Sequence, residues 1–230
     1  MRITWLGHAG FRIEMGGQVV LVDPWVSGNP SFPEDRRAEA IRGATHILLS
    51  HGHFDHAKDV PGIARELGIP VLCKVELANL LEKSEGIETT GFNNGGTVAA
   101  GDVNVTMVAA THSSSLQGDQ GAVYAGTEVG FMIEHAGRTI YFSGDTDVMA
   151  DMGVFQELHE PEVGLLAAGG HFTMDMKRAA FAARRFFDFK TVIPCHYGSF
   201  PLLEQSAEPM KAALPGVNVI TPEVMQPVDL

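Results

Sequence analysis

THILLSHGHFDHAKD, residues 45–59, joins two opposed chemistries in one short stretch. Its apolar run, Ile47-Leu48-Leu49, is bounded by polar residues and has the length and branching of a strand buried on both faces. Directly after it stand His51, His53, Asp55 and His56. In an extended segment just past a strand end, side chains two apart point the same way, so His51 and His53 are expected to face one small volume. Asp55 and His56 follow as the chain turns into a helix expected over residues 57–67. A single zinc-like ion takes three or four protein donors. Four from one loop, with more from elsewhere, therefore imply two adjacent cations. A lone loop histidine is usually no more than a hydrogen-bonded or solvated side chain, but HxHxDH at the end of an apolar strand has a mechanical reason for its spacing.

Outward from this stretch, Val- and Ile-rich runs recur at residues 2–6, 11–15, 18–22, 103–109, 139–142 and 191–194, and each reads as a strand. Segments with helical spacing lie at 76–83, 147–158, 176–187 and 204–214. Met15-Gly16-Gly17-Gln18 supplies a hairpin turn, so the chain is expected to open as an antiparallel meander before strands begin to alternate with helices. That order implies sheets with helices packed outside. No Ser- or Pro-rich linker divides residues 1–230, which are read as one domain. The longest loops are expected at residues 27–35 and 113–121.

With 45% hydrophobic and 19% charged residues, the 230-residue chain can bury a sizeable core. A net charge of −12 with only 16 Lys and Arg argues against non-specific binding to nucleic acid and against attraction to anionic lipid. Bound divalent cations would reverse that sign locally, so an anionic small-molecule substrate stays compatible. Cys73 and Cys195 lie far apart with no CxxC spacing, which indicates neither a disulfide framework nor a cysteine-based zinc site. MRITWLGHAG lacks a long apolar core and no stretch of about 18 apolar residues occurs, so a cytoplasmic protein is expected.

Further donors belong at other strand ends if two ions are held. His112 follows the run 103–110, Asp145 follows Tyr141-Phe142-Ser143-Gly144, and His196 follows Val192-Ile193-Pro194-Cys195. Any one alone would usually be a hydrogen-bonded loop residue; three in the same setting point to a shared site.

These motifs resemble, in order, those of the metallo-β-lactamase superfamily: Asp23 in LVDPW, His51 to His56 in HGHFDH, His112 in ATHSSS, Asp145 in SGDT and His196 in PCHYGSF. GHAGF (7–11), DPWVSGNP (23–30), GGHFTM (169–174) and HYGSFPLL (196–203) are similar to the group of metal-dependent hydrolases related to ascorbate-6-phosphate lactonase. The resemblance implies an α+β fold, the four-layer αββα sandwich, with the site at one edge of two sheets. It implies a first metal on His51, His53 and His112, a second on Asp55, His56 and His196, and Asp145 bridging both. Asp23 would orient a ligating histidine. Relatives that reduce dioxygen carry glutamate at the place of His53, and β-lactamases of the commonest type carry cysteine at that of Asp145. Neither activity is therefore expected. The 34 residues after His196 are too few for the extra domains of glyoxalase-type and nuclease relatives.

Imidazoles with carboxylates suit two divalent ions, with zinc expected and manganese or iron compatible. A water held between them loses a proton near neutral pH and becomes a nucleophile, which makes a hydrolase the leading expectation. The substrate expected is a small anionic ester, lactone or phosphoester. The alternatives are a phosphodiesterase acting on cyclic nucleotides or nucleic-acid ends, and a metal-bound structural or regulatory module. The resemblance also implies a homo-oligomer. His8 and His171 are assigned as catalytic candidates that bind an oxyanion or pass a proton, beside Asp55 and Asp145. Tyr197 and Ser199 are placed near the pocket, and Thr173 as the cap of the helix after it.

Overall fold

The computed structural model describes residues 1–118 and 121–230. β1 (Arg2–Trp5), β2 (Phe11–Met15) and β3 (Gln18–Val22) form the meander that the alternation implies. Met15 pairs with Gln18 across a two-residue turn in which Gly16 and Gly17 have φ of 56° and 73°. A turn that follows the strand twist requires positive φ at both positions, and glycine takes them without a side-chain clash.

After a 3-10 turn (Glu34–Arg36) and α1 (Arg37–Ile41), strands and helices alternate: β4 (His46–Leu49), α2 (Phe54–Ala57), α3 (Val60–Leu67), β5 (Val71–Lys74), α4 (Val75–Glu85) and β6 (Thr89–Phe92). The second half begins with β7 (Thr97–Ala100) and β8 (Val103–Ala109), a hairpin of β9 (Ser115–Gly118) and β10 (Gly121–Tyr124), then β11 (Val129–His135) and β12 (Arg138–Phe142). It continues through α5 (Asp151–His159), β13 (Val163–Ala167), α6 (Met176–Phe186), β14 (Thr191–Cys195), α7 (Glu208–Ala213), β15 (Asn218–Val219) and β16 (Pro227–Asp229).

Two seven-stranded sheets result, in the orders β16-β1-β2-β3-β4-β5-β6 and β15-β14-β13-β12-β11-β8-β7. The period of two along a strand sends consecutive apolar residues to different cores. Val20, Val22 and Leu48 meet Phe131, Phe142 and Ile193 between the sheets. Leu21, Ile47 and Leu49 face α1 to α4 on one outer side, while Met132, Tyr141 and Val192 face α5 to α7 on the other. The layers are thus helix, sheet, sheet, helix, the αββα sandwich that the resemblance implies. Among the described residues no helix is long and apolar enough to cross a membrane.

The structure differs from the sequence reading in several places. The helix expected over 57–67 is two pieces that begin at Phe54, because Pro61 has no N–H to continue the ladder onto Ala57. The helix expected from 147 starts at Asp151, and Asp147 before it pairs with the Arg178 guanidinium. The helix expected from 204 starts at Glu208. The loop expected at 113–121 is largely the β9–β10 hairpin, and its residues 119–120 lie outside the described residues. Asp175, not Thr173, caps α6 by accepting from the Arg178 N–H at 2.7 Å. Thr173 instead accepts from the Gly169 N–H and donates to the Met174 carbonyl. Strands β5, β6, β7, β11 and β13 also went unread, because short runs buried on both faces and polar edge strands lack the alternation that marks a half-buried strand.

Candidate metal centre

Every donor singled out in the sequence follows the carboxyl end of a strand. His8 comes after β1, Asp23 after β3, His51 to His56 after β4, His112 after β8, Asp145 after β12 and His196 after β14. These strands run in one direction within their sheets, so all the ends reach the same edge of the sandwich, where open sheets bind ligands. The backbone there is strained. His8, Asp23 and His196 have φ of 50°, 44° and 62°, in the left-handed region that costs a non-glycine residue about 1 kcal/mol or more. Such conformations persist only where neighbours hold them, and here the His196 N–H donates to the His8 carbonyl at 2.8 Å and the Asp23 N–H to the Leu48 carbonyl at 3.0 Å.

The side chains form three donor groups, within each of which the ligand atoms lie within 4.8 Å of one another; two share no residue, and the third, Asp23, His51 and His56, overlaps both. His51, His53 and His112 make the first, with rings edge to face at centroid distances of 4.6, 5.1 and 5.3 Å. His8, Asp55, His56 and His196 make the second. Asp145 stands between them. Its Oδ2 lies 3.9 Å from His51 Nε2 and 3.7 Å from His112 Nε2 on one side, and 3.4 Å from His56 Nε2 and 3.0 Å from His196 Nε2 on the other.

Asp23 is fully buried beneath this cluster and accepts from the Ser50 N–H, the Ser50 hydroxyl and His56 Nδ1, the last at 2.7 Å. Ser50 Oγ also lies 2.9 Å from His51 Nδ1. The Nδ1 atoms of His56 and His51 are thereby engaged from below, leaving His56 Nε2 turned toward Asp145 and His51 Nε2 toward His53 Nδ1, at 3.0 Å, with Asp145 beyond, the arrangement by which a metal-binding histidine is oriented. His56 Nε2, His196 Nε2 and Asp145 Oδ1 are buried with no hydrogen-bond partner. Orphaned buried polar atoms are costly, and these converge on one spot, so the donor set fits cations placed among them.

Charge in the cluster is tightly coupled. Burial opposes ionisation of Asp145, yet His196 and His56 outweigh it and hold the carboxyl well below the usual carboxylate range. Burial likewise opposes the charged form of His56, but Asp145 and Asp23 hold that ring protonated well above its ordinary value. Burial pushes His51 well down, and His53 more mildly. His8 is lowered to about 4, chiefly by burial, so the ring is neutral at physiological pH.

The remaining candidates fall in different places. His8 is buried against Asp55 and Ser199. His171 is exposed, packs its ring on Phe172 and lies outside all three donor groups. Tyr197 stacks on Trp5 at 5.3 Å. Sequence reasoning missed Ser50, which bridges Asp23 to His51, and Glu128, which accepts the His112 N–H. Ser50 stood in view between the apolar run and the first histidine, whereas nothing local marks Glu128. It also missed an aromatic wall beside Asp55, where Trp25 stacks on Phe200 at 5.8 Å and meets Phe54 edge to face at 5.7 Å.

A family model described as a β-lactamase superfamily domain matches residues 2–196. The chain is 62% identical over 230 residues to a UPF0173 metal-dependent hydrolase of Dinoroseobacter shibae, with 100% of both chains covered. Igni18, a metallo hydrolase from the archaeon Ignicoccus hospitalis, has a solved structure that matches with a TM-score of 0.86 at 28% identity, covering 99% of this chain and 97% of that one. The metallo-β-lactamase fold protein YhfI from Bacillus subtilis matches with a TM-score of 0.74 at 15% identity over 99% of each chain, a likeness of fold alone.

Proposed function

Because this chain belongs to the β-lactamase superfamily and has the metallo-β-lactamase fold, we propose that it is a metal-dependent hydrolase with two divalent ions in its centre. The observation that carries this reading is Asp145 Oδ2, within 3.9 Å of Nε2 atoms from both the first and the second donor group. His51, His53 and His112 would hold one ion and Asp55, His56 and His196 the other, with Asp145 shared. Bound there, zinc, or else manganese or iron, supplies Lewis acidity to the scissile bond and an acidified water.

The chain's own residues confine that chemistry to one side. His51, His56, Asp145 and His196 are buried, while His53, Asp55 and His112 are only partly so, which leaves the cluster open on the face they share. A closed structural metal site has no such face. Gly52 and Phe54, which flank His53 in the chain, also line a cavity of about 660 Å³ with Leu80, Leu116, Lys58 and Lys83, and none of the seven donors lines it. This size suits a small-molecule substrate with an apolar part, and the cations suit an anionic carboxylate or phosphate on it. The substrate class proposed is a small anionic ester, lactone or phosphoester.

The test is metal analysis together with a panel of lactones, carboxylic esters and bis-p-nitrophenyl phosphate. Two ions per chain with turnover of a lactone or ester is the expected result. Turnover of the phosphodiester alone would favour the phosphodiesterase, and no turnover with a full complement of metal would favour a structural or regulatory module. Replacing the shared carboxylate, Asp145→Asn, is expected to remove turnover while leaving the circular dichroism spectrum unchanged; full activity in that variant would refute the shared role.

A further inference from the structure

We infer that His8 is the positioning residue of the second donor group: it holds Asp55 by its side chain and His196 by its main chain, and takes no metal itself. The inference rests on the two-ion reading above and assigns a role within it. The ring is completely buried. His8 Nε2 lies 3.0 Å from Asp55 Oδ2 and His8 Nδ1 lies 2.6 Å from Ser199 Oγ. An ionised carboxylate only accepts, so in a neutral ring Nε2 carries the hydrogen and Nδ1 accepts from the serine hydroxyl. Both nitrogens are then engaged, and no lone pair is left for an ion or for a proton from substrate.

The main chain of the same residue does the rest. The His8 carbonyl accepts the His196 N–H at 2.8 Å and the Trp5 indole N–H at 2.8 Å. The two rings lie 3.9 Å apart, tilted by 46°. His8 therefore touches two of the three donors assigned to the second ion, from a strained backbone position with φ of 50°. Its hydrogen bonds include no donor of the first group, His51, His53 or His112. Loss of the imidazole should loosen one ion and spare the other. Ser199, 191 positions away in sequence, belongs to the same device because its hydroxyl selects the tautomer that can donate to Asp55.

The experiment strips the protein with chelator, titrates zinc back by calorimetry with the bound metal counted by mass spectrometry, and repeats the titration with cobalt(II), whose absorption reports each coordination sphere. Wild type is expected to take two ions. His8→Ala should keep one at wild-type affinity and loosen the other by about 10- to 100-fold, the usual effect of removing a ligand's hydrogen-bond partner. His8→Gln, which retains an N–H donor toward Asp55, should recover much of that loss, and Ser199→Ala should loosen the same ion by less. Two ions at wild-type affinity in His8→Ala, or equal loosening of both with the circular dichroism unchanged, would overturn the assignment. If His8→Ala does not fold, wild-type zinc affinity in Ser199→Ala overturns it instead. A wild-type protein that takes one ion would refute the two-ion reading itself, a result separable from the variants.

Discussion

Asp23 is the residue on which the most depends for the least local signal. Its carboxylate has no exposure and serves three donors: the Ser50 N–H, the Ser50 hydroxyl and His56 Nδ1. Removing it leaves the Ser50 N–H and the His56 Nδ1–H buried without an acceptor, a damaging way to break a buried network. Asp23→Ala is expected to destabilise the fold by about 3–5 kcal/mol in denaturant unfolding, and to weaken zinc binding by about 10- to 100-fold. A loss under about 1 kcal/mol, the scale of a single ordinary hydrogen bond, would show that the network is not what holds His56. In the sequence Asp23 is marked only by the resemblance, since by itself an aspartate before Pro24 is an ordinary turn residue.

At the scale of elements, the end of the second sheet opposite the metal centre is tied by Glu162, the residue before β13. Its N–H bonds to Thr139 in β12, and its carbonyl accepts from the Lys190 and Thr191 N–H groups at the start of β14. The carboxylate meets Arg138 Nε at 2.5 Å and Lys190 Nζ at 3.0 Å. Burial alone would raise this carboxyl, but the hydrogen bonds from Lys190 and Arg138 outweigh it and hold it below the usual range. A depressed folded value means that the pair stabilises above the ordinary carboxylate range and that this contribution is lost as pH falls through the folded value. The partners are 40% and 78% exposed, so solvent screening limits the effect. Glu162→Gln is expected to cost about 0.5–1 kcal/mol at pH 7, with the gap to wild type narrowing as pH falls below the ordinary carboxylate range. A gap in urea titrations that does not narrow in acid would count against the ion pairs. Element boundaries were the least legible part of the sequence. The break at Pro61 could be read from proline chemistry, but the β9–β10 hairpin could not, because its pairing fixes a polar stretch with no alternating apolar face.

For the whole molecule, the centre gathers residues from both sheets, so metal occupancy and sandwich stability are linked. The first sheet contributes Asp23 and the stretch 51–56; the second contributes His112, Asp145 and His196. An ion held between them binds only the assembled sandwich. Zinc at about 100 times its dissociation constant is expected to add about 2.7 kcal/mol per site. Calorimetric melting with zinc and with a chelator should show a higher Tm in zinc, and this difference should shrink in Asp145→Asn. An unchanged melting point on chelation would mean that the donors do not bind across the sheets.

Short-range pattern was enough to place the donors at strand ends and to name their chemistry, because strand length, the period of two and the identity of imidazole and carboxylate are all local properties. Which of those donors would meet was decided only in the tertiary structure: pairing of β8 with β11 brings Glu128 onto His112, and packing of the two sheets face to face brings Ser199 onto His8 and Asp145 among four imidazoles. Distances between residues many positions apart are set by sheet order, register and core packing. No window of sequence contains those quantities.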